Sequence, residues 1–410
     1  MRRHPPPGQV THLSAKARPV LRFPDVLPLA ISAFLADLGC QAVLAGFPLF
    51  LVLGLHAPVW LYGIAAALSY GGGAAMAYIG GRLGDLLGHR RVAIWGNALL
   101  PLLSLSALVP AALSAIALLT LGWWARDLRT PSRRAMLAQA VPHAQLGTAF
   151  GFLHALNISG AMLAGLYILL AVLGHLSWRW IFLATTLPLA ASTVALLRSG
   201  HQPHRLPPRQ RPSGQRQPQA GLRTLVWATA LYGFSSYSLG FPVLTVAQGA
   251  HAPAAGIAAF LVLQGVSAVT GYLLEGRLGQ GLAERQRNLS LLGYLVAAVA
   301  SGLLAAAYGL RLHLPWLFLG IVLLGFALAV VETLEPSLIS AFGLAGDTGR
   351  RFGALSGARA LGLLVANLAL GLLYTLGAAY AYGYAALIAA SAALLLLVAL
   401  PAVRRLPAGA

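Results

Sequence analysis

The sequence predicts an all-α membrane protein, with twelve transmembrane helices arranged as two pseudo-symmetric halves of six. Three observations carry this. The 410-residue chain is 58% hydrophobic and only 9% charged, whereas soluble domains carry about 25% charged residues; no water-facing surface can be assembled from such a composition. It holds about a dozen apolar runs, most near or above the roughly 18–20 residues that span a bilayer. One such run could be a buried helix of a soluble protein, but a dozen could not. Finally, the chain repeats itself.

The repeat centres on a charged island, Gly81-Arg82-Leu83-Gly84-Asp85-Leu86-Leu87-Gly88-His89-Arg90-Arg91. Six of its eleven positions recur 195 residues later in the stretch from Gly276 to Gln286. Gly46-Phe47-Pro48 returns as Gly240-Phe241-Pro242, and His56-Ala57-Pro58 as His251-Ala252-Pro253, at offsets of 194 and 195. The same order in both halves implies an internal duplication, a recurring plan of secondary transporters whose binding site lies between the repeats.

Spans are expected near 25–53, 57–80, 92–110, 112–135, 147–173, 179–198, 223–248, 254–275, 288–310, 314–338, 352–374 and 379–401. Around them lie a basic tail (1–24), a linker rich in Pro, Gln and Arg (199–222) and a short tail (403–410), leaving six-helix halves at 25–198 and 223–402. The linker has no apolar period and reads as flexible. The net charge of +19 could point to nucleic acid, but 23 of the 28 Lys and Arg fall in alternate loops and the two tails. By the positive-inside rule those segments and both termini are cytoplasmic, so the basic surface meets anionic lipid and no nucleic-acid partner is expected. The first 22 residues lack the apolar core and cleavage site of a signal peptide. A single cysteine, Cys40, excludes an internal disulfide and a cysteine metal cluster. The histidines show no metal spacing, no hydrolase, zincin or phosphate-loop signature is present, and neither enzyme activity nor a cofactor is expected.

In the first span Asp37 lies near mid-bilayer, where a carboxylate must face protein or water. It reads as a proton or cation site, or as the structural partner of Arg126 or Arg129. Pro48 suggests a kink. The second span is crowded with small residues, Gly71-Gly72-Gly73-Ala74-Ala75, which suit close packing or sliding at a gate. Gly81, Leu83, Asp85, Gly88, Arg90 and Arg91 then fit G-x-L-x-D-x-x-G-x-R-R, and with this loop, twelve spans and two halves the chain resembles the major facilitator superfamily. The resemblance implies alternating access, and a switch role for Gly81, Asp85, Gly88, Arg90 and Arg91 in which the aspartate pairs with arginines and a helix N-terminus of the other half. Glycines at 81, 84 and 88 would permit a tight turn.

The fourth span places Arg126, Arg129 and Arg133 on one helical face. At offset 205, Asp127-x-x-x-Pro131-Ser132 aligns with Glu332-x-x-x-Pro336-Ser337, and the second copy carries Glu332 and Glu335 where the first is cationic. Charge-opposed helices from the two halves suggest either an inner gate, with Arg129 facing Glu335, or a site for a charged substrate. Arg129 to Gly151, with Asp37-Leu38 and Pro48-Leu49-Phe50-Leu51, is similar to a bacterial branch of the superfamily, which implies the inner membrane and efflux. Three acids of that branch are amides here: Gln41, Gln139 and Asn157. Proton coupling would therefore rest on Asp37. Gly160-Ala161-x-x-x-Gly165 resembles an antiporter motif without its proline and otherwise reads as helix packing. In the second half Tyr232, Ser235, Ser236, Tyr237 and Ser238 either line a wet cavity or bond their own helix carbonyls. Gln264 and Asn367 are candidate cavity residues, and Arg359 aligns with His154 at offset 205. Glu275 is expected at the interface beside Arg277, and the twelfth span as lipid-facing scaffold.

Three readings follow. The first is a secondary transporter of a small organic solute, monomeric in the bilayer, with protons as the candidate coupling ion. The second is an organic-anion importer using Arg126, Arg129 and Arg133 as a clamp. The third is a transporter-like sensor or assembly protein that moves nothing.

Overall fold

A computed structural model describes residues 20–142, 145–200, 219–274, 282–342 and 348–404. The basic tail before residue 20, most of the 199–222 linker, Glu275, the start of the Gly276–Gln286 echo and the last six residues lie outside them. The described residues are helical throughout, without a strand. In chain order the helices are α1 (Val26–Gly54), α2 (Val59–Leu87), α3 (His89–Leu108), α4 (Ala112–Ala140), α5 (Leu146–Leu173) and α6 (Trp178–Leu197). There follow α7a (Gln219–Gly233), α7b (Gly240–Gly249), α8 (Pro253–Leu274), α9 (Ala283–Gly309), α10 (Leu314–Phe342), α11 (Thr348–Leu376) and α12 (Ala378–Arg404).

Nine helices among the described residues are long and apolar enough to cross a membrane. Twelve crossings also require α2, α4 and α7. The first is diluted by glycine, the second carries Arg126, Asp127 and Arg129, and the third is broken. α4 stays helical through Pro131 for all of its 29 residues.

Two boundaries differ from the sequence reading. The charged island is not a loop: Arg82 to Leu87 continue α2 through Gly84, which packs on Ser132, and the turn falls on Gly88, at φ 93°. The seventh span is not continuous. Residues 234–239 leave the helix because local hydroxyls compete for its carbonyls: Ser235 and Ser236 both donate to the Tyr232 carbonyl, at 2.7 and 3.2 Å. The amide freed at Ser238 donates to Asn367 Oδ1 of α11 at 2.9 Å.

The duplication is visible in the backbone. His56 and His251 both adopt φ 52°, a left-handed turn rare for a residue with a side chain, and each precedes an Ala-Pro that starts the next helix. Small residues set the packing. Gly72, Gly73 and Gly80 of α2 face α4, where a methyl group on Gly80 would collide with the Leu128 carbonyl and one on Gly72 would meet the Trp124 ring at 2.5 Å, whereas Gly63 and Gly71 face α11. The stripe packs closely on both neighbours. In α5, Gly160 lets the helix close on Phe34 of α1, and Gly165 packs on Leu261 of α8.

Candidate functional site

The residues expected to carry function fall into two polar clusters, one in each half of the chain, and a packing pattern that differs between the two ends of the bundle. The first cluster joins α1 and α4. Asp37, 4% exposed, accepts from Arg126 Nη2 at 3.5 Å. Arg126 Nη1 reaches Asp127 at 3.4 Å, and its guanidinium stacks 4.6 Å over the Trp123 ring. Of the two partners proposed for Asp37, the structure selects Arg126. Arg129 is 1% exposed, its β-carbon seated against Gly96 of α3, and none of its three side-chain nitrogens has a hydrogen-bond partner among the described residues. Arg133 is buried with Nε and Nη1 in the same condition. Gln41, one turn after Asp37, buries an unpartnered Oε1, and Asn157 of α5 an unpartnered Oδ1.

The second cluster joins α7a, α9, α10 and α11. Glu335 is fully paired within it: Arg359 Nη1 donates to Oε2 at 2.5 Å and the Tyr294 hydroxyl to Oε1 at 2.6 Å. Tyr294 stacks on Tyr232, ring centroids 4.1 Å apart and 10° between planes. The expected pairing of Arg129 with Glu335 across the halves is therefore absent here. Each cluster satisfies its acid from its own half: Arg126 of α4 reaches Asp37 of α1, and Arg359 of α11 reaches Glu335 of the preceding helix, α10. Glu332 and His154 are both exposed and without an ion pair among the described residues. They belong to opposite halves, and Glu332 lies within the electrostatic field of His154 and Arg359. Gln264 is half-buried on α8, and Ser235 bonds its own helix rather than a cavity.

The ends of the bundle behave differently. At the end of α2 remote from the charged island, the halves are sealed. The Tyr62 hydroxyl bonds Ser238 Oγ at 2.7 Å, the Tyr62 ring packs edge-on against Phe241 with centroids 5.1 Å apart, and α2 crosses α11 so closely that a β-carbon on Gly63 would lie 2.7 Å from Gly371 Cα. At the end carrying the island, added β-carbons at Gly147 and Gly151 of α5, Gly271 of α8 and Gly357 of α11 would meet nothing within 4 Å. There Asp85 is 77% exposed, and among the described residues it pairs with His89, 3.6 Å away, and makes no contact with the other half of the kind the resemblance implies. Arg90 instead caps α6, donating to the Leu197 and Ser199 carbonyls at 2.8 and 3.2 Å, where a cation suits the negative end of a helix. Arg91 is exposed, Gly81 stays helical, and Gly84 packs on His89 and Ser132.

Sequence reasoning missed Tyr62, Trp123 and Tyr294. Each is an aromatic residue inside an apolar run, and its polar edge or ring face gains meaning only from a neighbour on another helix.

The family model of the Major Facilitator Superfamily matches residues 29–342. A solved structure of a POT family transporter in complex with a thioalcohol-conjugated peptide is similar at a TM-score of 0.74 and 13% identity, over 93% of this chain and 96% of that one. A D-xylose–proton symporter follows at 0.73 and 14%, over 92% and 97%. The nucleoside transporter NupG matches at 0.70 and 15%, over 92% and 99%. No curated protein sequence matches.

Proposed function

Because the chain belongs to the major facilitator superfamily, we propose that it moves a small organic solute outward across the bacterial inner membrane by alternating access, with Asp37 as its proton-coupling group. Membership makes it a multi-pass membrane transport protein and not an enzyme. The observation that carries the proposal is the one-sided packing: the halves are knitted at Tyr62, Gly63, Ser238 and Gly371, while at the other end β-carbons added at Gly151, Gly271 and Gly357 would meet nothing within 4 Å. Repeats that rock about a central site expose it to one face at a time. With the basic loops on the cytoplasmic side, this conformation opens to the cytoplasm, where an exporter loads and an importer releases; the outward direction rests on the resemblance of the Arg129–Gly151 segment to its bacterial branch. The island from Gly81 to Arg91 sits at the open face as the element that engages when that face closes.

Asp37 supports the coupling role. Its contact to Arg126 is 3.5 Å, long beside the roughly 2.7–2.9 Å of a strong charge-assisted bond, and Arg126 already has a second carboxylate in Asp127. A proton on Asp37 would release Arg126 to Asp127 without stranding it. The solved neighbours include a D-xylose–proton symporter, so a proton-coupled member of this fold is represented among them.

The test is flux in proteoliposomes of purified protein, with an imposed proton gradient and a panel of labelled organic solutes. Gradient-driven transport of at least one solute is expected, with Asp37→Asn uncoupled and Asp25→Asn close to wild type. A protein that binds solute but moves none under any gradient would be a sensor and not a transporter.

A further inference from the structure

We infer that the α1–α4 cluster is a binding site for an anionic group, a carboxylate, phosphate or sulfonate, and that the transported solute is held there by that group. This deepens the transport reading and rests on it only for the identity of the ligand as the solute; the site itself follows from charge and contact.

Three guanidinium groups, on Arg126, Arg129 and Arg133, face two carboxylates, on Asp37 and Asp127. Both carboxylates are engaged by Arg126. Arg129 and Arg133 therefore stand buried, at 1% and 5% exposure, with five side-chain nitrogens that find no acceptor among the described residues. Their spacing of four residues puts like charges side by side on one helical face, so each raises the cost of the other. Arginine has no neutral form to retreat to, and an ionisable group inside a membrane span is costly unless it serves function. The satisfied cluster of the other half shows what this chain does when a buried charge is structural: Glu335 has both oxygens occupied, by Arg359 and Tyr294. Arg129 and Arg133 lack any equivalent among the described residues, and the partner inferred for them is a ligand. Two planar forks one turn apart suit a group with two or three acceptor oxygens, which guanidinium binds in bidentate fashion. Gln41, one turn beyond Asp37, offers an unpartnered buried Oε1 to a donor on the same ligand.

The experiment is equilibrium binding, read by thermal unfolding, to the purified full-length protein in a neutral detergent. The probes are benzoate, succinate, inorganic phosphate and methanesulfonate, with benzamide as the uncharged analogue. A separate arm reconstitutes the protein in phosphatidylcholine vesicles with and without phosphatidylglycerol. At least one soluble anion should raise the unfolding temperature saturably while benzamide does not. Arg129→Gln and Arg133→Gln should each weaken that anion by more than about tenfold, as expected when one charged hydrogen bond is lost. Arg133→Lys, which keeps the charge and loses the fork, should fall between. Because nothing among the described residues hydrogen-bonds Arg129, Arg129→Gln is expected to fold, and Arg133→Lys provides a second folded variant.

Equal binding of benzamide, anion binding unchanged in the variants, or no anion binding at all overturns the inference. Stabilisation by phosphatidylglycerol alone overturns it too, since the ligand is then a lipid headgroup and not the solute. The two levels separate cleanly. Anion binding without flux leaves the site standing and removes the transport reading, whereas flux of a neutral solute without anion binding does the reverse.

Discussion

Asp37 is one carboxylate among three guanidinium groups, and that imbalance decides what its loss does. In Asp37→Asn, Arg126 keeps Asp127, but Arg129 and Arg133 lose the only other acid near them on α1. Removing one partner of a buried ion pair costs about 3–5 kcal/mol when the other is left uncompensated; with Arg126 still held by Asp127 the loss is smaller, about 1–3 kcal/mol. The variant should therefore unfold at a clearly lower temperature in detergent, as well as losing coupling. Asp25 sets the contrast. It lies at the start of α1, half-buried, and accepts a hydrogen bond from the Gly200 amide; Asp25→Asn should cost less than about 1 kcal/mol. Equal unfolding temperatures for the two variants would show that Asp37 is not the charge that holds the α1–α4 cluster together. A raised temperature in Asp37→Asn would contradict the cluster outright.

At the scale of helices, glycine placement explains more than charge does. Gly80 permits the α2–α4 crossing because its missing side chain is where the Leu128 carbonyl sits. Gly80→Ala must push the helices apart and, as an overpacked core substitution, should destabilise by about 1–3 kcal/mol. Gly151→Ala, on the open end of α5 with nothing within 4 Å, should instead stabilise, by up to about 1 kcal/mol of helix propensity. Unfolding temperatures moving the same way in both variants would remove the distinction between packed and open glycines. The glycine-rich stripe of α2 was legible in the sequence as a packing surface, and so was the cationic face of α4. The break in α7 was not. It arises from hydroxyls that compete for carbonyls and from an acceptor, Asn367, that belongs to a helix 129 positions away in sequence. The turn at Gly88 was hidden for a related reason: three glycines were available, and only the packing of Gly84 on Ser132 shows why that one stays in the helix.

For the whole molecule, the two-half plan was written in repeated Gly-Phe-Pro and His-Ala-Pro triplets, and His56 and His251 of those triplets share a left-handed turn, one that His175 and Arg311 adopt as well. The partners of the buried charges were not written there. A repeat offset aligns Asp127 with Glu332 and His154 with Arg359 but cannot say whether an acid meets a base of its own half or of the other. The structure pairs Glu335 with Arg359 and Asp37 with Arg126, and leaves Glu332 and His154 exposed in opposite halves at the open end. In alternating access the halves rock, so that closure of one face accompanies opening of the other. Distances between paired spin labels in the reconstituted protein, with Cys40 replaced by alanine, test it most directly: one pair at Gly151→Cys and Gly271→Cys across the open end of α5 and α8, the other at His175→Cys and His251→Cys across the sealed end. The predicted result is two populations at each pair, shifting in opposite directions when pH or solute is changed. A single, unchanging distance at both pairs under every condition would contradict alternating access in this chain.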